Sequence, residues 1–253
     1  MPLHPDDHFL YALSSNNAWA GYKSHQNPHF FPKLADGQTP QIRKPFSPFS
    51  NSPQANRLPP VWLGCSDSRC PETTILGLQP GDVFVHRNIA NIIAPTDINT
   101  SAVIEYAVAH LKVKHVVLCG HTSCGGAAAA LGDSRVGGVL DTWLAPLRAV
   151  RYANKEVLDA MKDERARATK IAELNVEAGV NVLMANVTVR EAIEERGLQV
   201  HGCLFEIGCG RIRDLGLGTK GRGGLGLDGQ EDVVRGRHAQ IVFRGGRGEM
   251  SVK

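Results

Sequence analysis

No apolar run in this 253-residue chain approaches the roughly 20 residues that a bilayer-spanning helix needs, which argues against a helical membrane protein. The first 17 residues, MPLHPDDHFLYALSSNN, lack a basic start followed by an apolar stretch. They are also not the Arg-rich, acid-poor type of a transit peptide, so a cytoplasmic location is expected. Single-sign charge is scarce as well. The net charge is +3, but residues 210–253 hold nine Lys/Arg against five Asp/Glu, or +4, leaving −1 for everything before them. Nucleic-acid binding by the folded body is therefore not expected. No Cys-x-x-Cys pair occurs among the six cysteines, which argues against dithiol redox chemistry. A chain this long and core-rich does not need disulfide staples either.

Two short clusters, each just after an apolar run, carry the chemistry. Val61-Trp62-Leu63-Gly64 leads into Cys65-Ser66-Asp67-Ser68-Arg69, and His115-Val116-Val117-Leu118-Cys119-Gly120 leads into His121-Thr122-Ser123-Cys124-Gly125-Gly126. Two thiolates and a neutral imidazole select zinc over harder cations. Three fixed protein ligands with one uncommitted position distinguish a catalytic zinc from a structural one. The helix expected to begin at the Gly-Gly-Ala run favours thiolate at Cys124, and Gly125 and Gly126 allow a close backbone approach. Asp67 is a potential fourth ligand that would close the site. Arg69 is its rival partner, since a bidentate guanidinium pair would hold the carboxylate off the metal. Low pH is expected to favour the closed arrangement. Asp133-Ser134-Arg135 repeats the Asp-Ser-Arg triplet without a cysteine and is expected to be a surface turn. Cys70, Cys119, Cys203 and Cys209 are expected to be small buried apolar residues, and the remaining histidines structural or solvated.

Along the chain, residues 1–40 read as an N-terminal helical arm, with a helix from 5 to about 24 that needs something to pack against. Residues 41–60 are a Pro/Ser-rich loop. Residues 61–216 form the α/β body: strands at 61–64, 82–86, 114–120 and 198–207 alternate with helices at 73–78, 101–111, 126–131, 163–178 and 189–196. This alternation predicts a mainly parallel sheet of about four strands, flanked by helices, with sites beyond the strands' carboxyl ends. Thr188 with Glu191 forms an expected capping box, and Gly197 an expected helix stop. Residues 217–253 form a Gly/Arg-rich tail, expected to be disordered apart from a short strand at 240–243.

The CSDSR and HTSCGG motifs, GDVFVHRNIAN between them, and the later VREAIEERGLQVHG segment together resemble the β-class carbonic anhydrases. The resemblance covers about residues 5–40 and 61–215. It implies reversible hydration of carbon dioxide to bicarbonate and a proton, one zinc per subunit on Cys65, His121 and Cys124, and an Asp67–Arg69 catalytic dyad. It further implies homodimers or tetramers of dimers. The substrate pocket it implies is lined by Gln38, Phe84, Ile89, Tyr106 and Gly125, some of them from the neighbouring subunit. Trp62 and Arg87 match two positions of a regulatory bicarbonate site found in some members. Phe205 stands where its tyrosine would be, so such regulation is expected to be weak or absent. Hydrolysis of carbonyl sulfide or carbon disulfide, or a non-catalytic zinc or bicarbonate sensor, are the alternatives on the same scaffold.

Overall fold

A computed structural model describes residues 8–35, 60–219, 239–244 and 247–252. Its body is a five-stranded sheet. Strands β1 (Pro60–Cys65), β2 (Phe84–Asn88), β3 (His115–His121) and β4 (Gln199–Glu206) are parallel, in the order β2-β1-β3-β4, and β5 (Arg211–Gly218) closes the β4 edge antiparallel. The parallel set matches the four predicted strands. β5 is additional, and it crosses residue 216, where the tail was expected to begin. Its sequence is too polar to signal a buried strand; pairing with β4 holds it in place.

Helices α1 (His8–Gln26) and α2 (Phe30–Ala35) precede the sheet. Trp19, Phe30 and Phe31 join them in edge-to-face contacts, a favoured geometry for aromatic quadrupoles. Lys23 Nζ ties α1 to the body by donating to Gln79 Oε1 at 2.7 Å. The connections between strands carry α3 (Glu72–Ile75), α4 (Ile98–Glu105, continued by a π turn over Tyr106–His110), α5 (Gly125–Leu131), α6 (Val139–Trp143), α7 (Ala145–Ala153), α8 (Lys155–Asp159), α9 (Glu164–Ala185) and α10 (Val187–Arg196). Helices α6, α7 and α8 are additional to the expected ones, although Leu144, Leu147 and Val150 recur at helical spacing; Leu144, Leu147 and Leu158 pack with Ile171 of α9.

The main core lies between the sheet and α9. From α9, Val176, Val180 and Leu183 recur at helical spacing and are almost wholly buried. They meet Val61, Leu63, Val116 and Leu118 on one face of β1 and β3. Asp163 caps α9 by accepting from Arg165 N at 2.9 Å. The expected capping box at Thr188 is replaced by Asn186, whose extended backbone lies between α9 and α10 and whose side chain accepts from Val189 N. Thr188 lies inside the helix and donates to Glu105 Oε2. Gly197 ends α10 at φ 69°, a left-handed cap that glycine adopts without steric cost. Residues 221–253 form a second unit, in which β6 (Ala239–Arg244) pairs antiparallel with β7 (Arg247–Val252). β6 contains the strand expected at 240–243; its partner β7 was not anticipated. Leu118→Ala leaves a cavity beneath the sheet and should lower unfolding stability by about 2–5 kcal/mol, measured by urea denaturation at neutral pH.

Candidate metal centre

Parallel pairing of β1 with β3, in register at Gly64 and Cys119, brings the ends of both strands side by side. Cys65 ends β1, and His121 ends β3. Two further bonds continue these ends as ordered turns: Ser66 N donates to Asn88 O, and Thr122 N to Phe205 O. Ser123 adopts φ 57°, turning the chain so that Cys124 stands at the start of α5. The amides of Gly126 and Ala127 hydrogen-bond its sulfur, as expected where a helix N-terminus faces a thiolate.

The Cys65 and Cys124 sulfurs and the facing His121 nitrogen lie within 4.8 Å of one another, on three buried residues. His121 Nδ1 donates to Thr122 O at 2.9 Å, which aims the Nε2 lone pair into the cluster. That Nε2 is buried without a hydrogen-bond partner. The Cys124 thiol beside Cys65 holds the Cys65 pKa down to about 4, and Cys124 is pushed up correspondingly. A soft divalent cation would bind both sulfurs and supply the partner that Nε2 lacks, so the residues fit zinc.

Asp67 stands at the edge of this set, with Oδ2 3.9 Å from His121 Nε2. Both its oxygens are engaged by Arg69. Oδ1 accepts from Nε at 2.8 Å and from the backbone N at 2.9 Å, and Oδ2 accepts from Nη2 at 2.6 Å. These bonds hold the carboxyl well below the usual carboxylate range. Arg69 Nη2 is itself anchored on Ser123 O at 3.1 Å, so the second cluster fixes the dyad of the first.

Sequence reasoning missed the structural part played by Arg87. Its Nε donates to Cys65 O at 2.7 Å and its Nη2 to Asp67 O at 2.5 Å, pinning the loop that carries ligand and dyad. Register of β2 against β1 places it there, and no local motif marks that. Ile89 lies against the start of α5, near Gly126. Phe84 and Tyr106 pack on each other with ring centroids 5.7 Å apart. Phe84 is four residues upstream of Asn88, the register partner of Cys65, so it stands about 13 Å back along the strand. Gln38 lies outside the described residues. Burial pushes Cys70 up to about 11 and Cys203 up to about 12, and raises Cys119 further, so all three remain thiols. Cys203 and Cys209 depart from the buried reading: Cys203 is half-buried in β4, and Cys209 is exposed in the β4–β5 turn. His86 and the His115–His201 pair are satisfied by neighbouring polar groups.

A parallel α/β sheet that presents two thiolates, an imidazole and a restrained carboxylate beyond its strand ends defines a zinc-dependent metalloenzyme. The model of the carbonic anhydrase family matches residues 60–212. A carbonic anhydrase of Emericella nidulans is 40% identical over 210 residues, covering 83% of this chain and 84% of the relative. Among solved structures, a β-carbonic anhydrase of Sordaria macrospora, described as tetrameric, is 68% identical. It superposes with a TM-score of 0.77 over 85% of this chain and all of the other. The β-carbonic anhydrase CafA of Aspergillus fumigatus is 49% identical, with a TM-score of 0.73 over 83% and 91% of the two chains. The chain belongs to the β-class carbonic anhydrases, zinc enzymes that interconvert carbon dioxide and bicarbonate. Cys65→Ser, which keeps the shape and removes a soft ligand, should weaken zinc binding by more than about 100-fold. Metal content after dialysis against a chelator measures this.

Proposed function

We propose that Asp67 and Arg69 are the residues that make the zinc site catalytic. The observation that carries this reading is the position of Asp67 Oδ2, 3.9 Å from the metal-facing nitrogen of His121, while both carboxylate oxygens are held by Arg69. Zinc bound by Cys65, His121 and Cys124 would supply Lewis acidity and ease ionisation of water near neutral pH. Asp67 is too acidic to take up a proton there, so it works as a hydrogen-bond acceptor. Its free lone pair at Oδ2 receives an O–H from the reacting water and turns the oxygen lone pair toward carbon dioxide. Arg69 keeps that acceptor from swinging into the ligand set, and Ser123 O keeps Arg69 in place. Ile89, which borders the start of α5, supplies an apolar wall suited to a small uncharged substrate.

Phe84 and Tyr106 complete the pocket of a second copy. This reading is supported by their distance from their own Cys65 and by the exposure of Tyr106, 47%. The tetrameric description of the Sordaria macrospora relative favours a homo-oligomer of the same kind. Six cysteines without a disulfide favour the cytoplasm, and among the described residues no helix is long and apolar enough to cross a membrane.

Stopped-flow hydration of carbon dioxide against pH, with zinc content measured on the same samples, tests the assignment. Arg69→Ala should retain zinc yet lose at least about 100-fold in kcat/KM; an active Arg69→Ala enzyme would refute the dyad. Bicarbonate regulation should be absent. Phe205 brings no hydroxyl to Trp62, and Arg87 is committed to Cys65 O, Asp67 O and, at 3.8 Å, Glu72. A bicarbonate titration should therefore show non-cooperative inhibition.

A further inference from the structure

The turn Ile89–Asn91, which follows β2, holds two successive left-handed residues that are not glycine: Ala90 at φ 60° and Asn91 at φ 46°. Such a conformation persists only where the surroundings over-determine it. Ala90 is 1% exposed and Asn91 3%. Side chains from two helices bond to consecutive carbonyls of this turn. The indole Nε1 of Trp143, the last residue of α6, donates to Ile89 O at 2.9 Å. The Nδ2 of Asn175, buried at the middle of α9, donates to Ala90 O at 2.7 Å. Asn88 closes the turn from the strand side, with Oδ1 accepting from Ile92 N and Nδ2 donating to Ile92 O.

This turn is pressed against the helix that follows the metal ligand Cys124. Ala90 packs with Cys65, Cys124 and Ala127. A Cβ placed on Gly126 would lie 2.8 Å from Ala90 Cβ and 3.5 Å from Ile89 Cγ2, so the missing side chain of Gly126 is what admits the turn. Ile89 is thereby set beside the start of α5 with 43% of its surface exposed.

We propose that Asn175 and Trp143 are positioning residues for the reaction: by bonding the carbonyls of Ile89 and Ala90 they hold the left-handed turn that fixes Ile89 as the apolar wall of the substrate pocket. The inference rests on Ile89 lining that pocket. Neither side chain belongs to the ligand set or the dyad. Loss of the Asn175 amide leaves Ala90 O buried without a donor, and the turn then relaxes toward right-handed backbone and carries Ile89 away.

The test is steady-state carbon dioxide hydration by zinc-loaded full-length enzyme, with zinc content and pH profile recorded in parallel. Asn175→Leu, which keeps the branched side-chain skeleton and removes the donor, should raise KM for carbon dioxide about tenfold, with kcat, zinc content and pH profile little changed. Trp143→Phe should act in the same direction. Adding Ala90→Gly to Asn175→Leu should restore most of the KM, because glycine holds this φ without the bond. An unchanged KM in Asn175→Leu and Trp143→Phe, with only thermal stability reduced, overturns the proposal. So does a failure of Ala90→Gly to rescue. If Asn175→Leu does not fold, the half-buried Trp143→Phe carries the same expectation alone. Ile89→Ala separates the two layers of argument. An unchanged KM there removes the pocket reading itself, whereas a raised KM there alongside a normal Trp143→Phe removes the positioning role only.

Discussion

The parallel ladder between β1 and β3 is the constraint on which the rest depends. Backbone hydrogen bonds fix neighbouring strands about 4.8 Å apart, and the register Gly64–Cys119 places the end of one strand beside the end of the other. Cys65 and His121 are remote in the chain, yet this pairing delivers both to one point. A slip of one residue would turn the strand faces over. It would bury Trp62 and Val117 against α9 and expel Val61, Leu63, Val116 and Leu118 from the core. Packing against α9 therefore enforces the register, and the register builds the site. Pairing of β2 with β1 adds Arg87, which grips the carbonyls of Cys65 and Asp67.

Within the site, each polar group is assigned by what its neighbour already does. Thr122 O takes the Nδ1 proton of His121, leaving Nε2 to face the sulfurs. Cys65, Cys124 and Nε2 of His121 converge as three soft and borderline donors, an arrangement that a divalent cation completes. Asp67 carries enough charge to join them, but three bonds from Arg69 direct it elsewhere. The left-handed Ser123 supplies the carbonyl that anchors Arg69 and also turns the chain toward Cys124. Ligand geometry and dyad geometry thus share one backbone feature.

Much of this was legible in the sequence because short-range chemistry recorded it. The four parallel strands announced themselves as apolar runs, α9 by its helical spacing, and the metal residues by soft donors placed after strands. Other features were weaker in the sequence. The short helices α6 and α8 depend on being packed against α9 and its neighbours, α7 carries its own amphipathic spacing at Leu144, Leu147 and Val150, and the polar β5 depends on an adjacent edge. Thr188 and Glu191 had the spacing of a capping box, but Asn186 stands at the actual junction of two helices and takes that role. Cys209 looked like the other cysteines, and only its place in a tight turn exposes it.

Read alone, the chain already offered three donors that fit zinc, Cys65, His121 and Cys124, because the softness and spacing of those donors are covalent facts of the sequence. It also named Asp67 and Arg69 as a pair. Tertiary structure decided where Asp67 rests: on Arg69, beside the ligands and not among them. That choice depends on Ser123 O holding Arg69 and on Arg87 holding the loop. Both reach the first cluster from segments far away in the chain, and only the stacking of β2, β1 and β3 brings them within hydrogen-bonding distance.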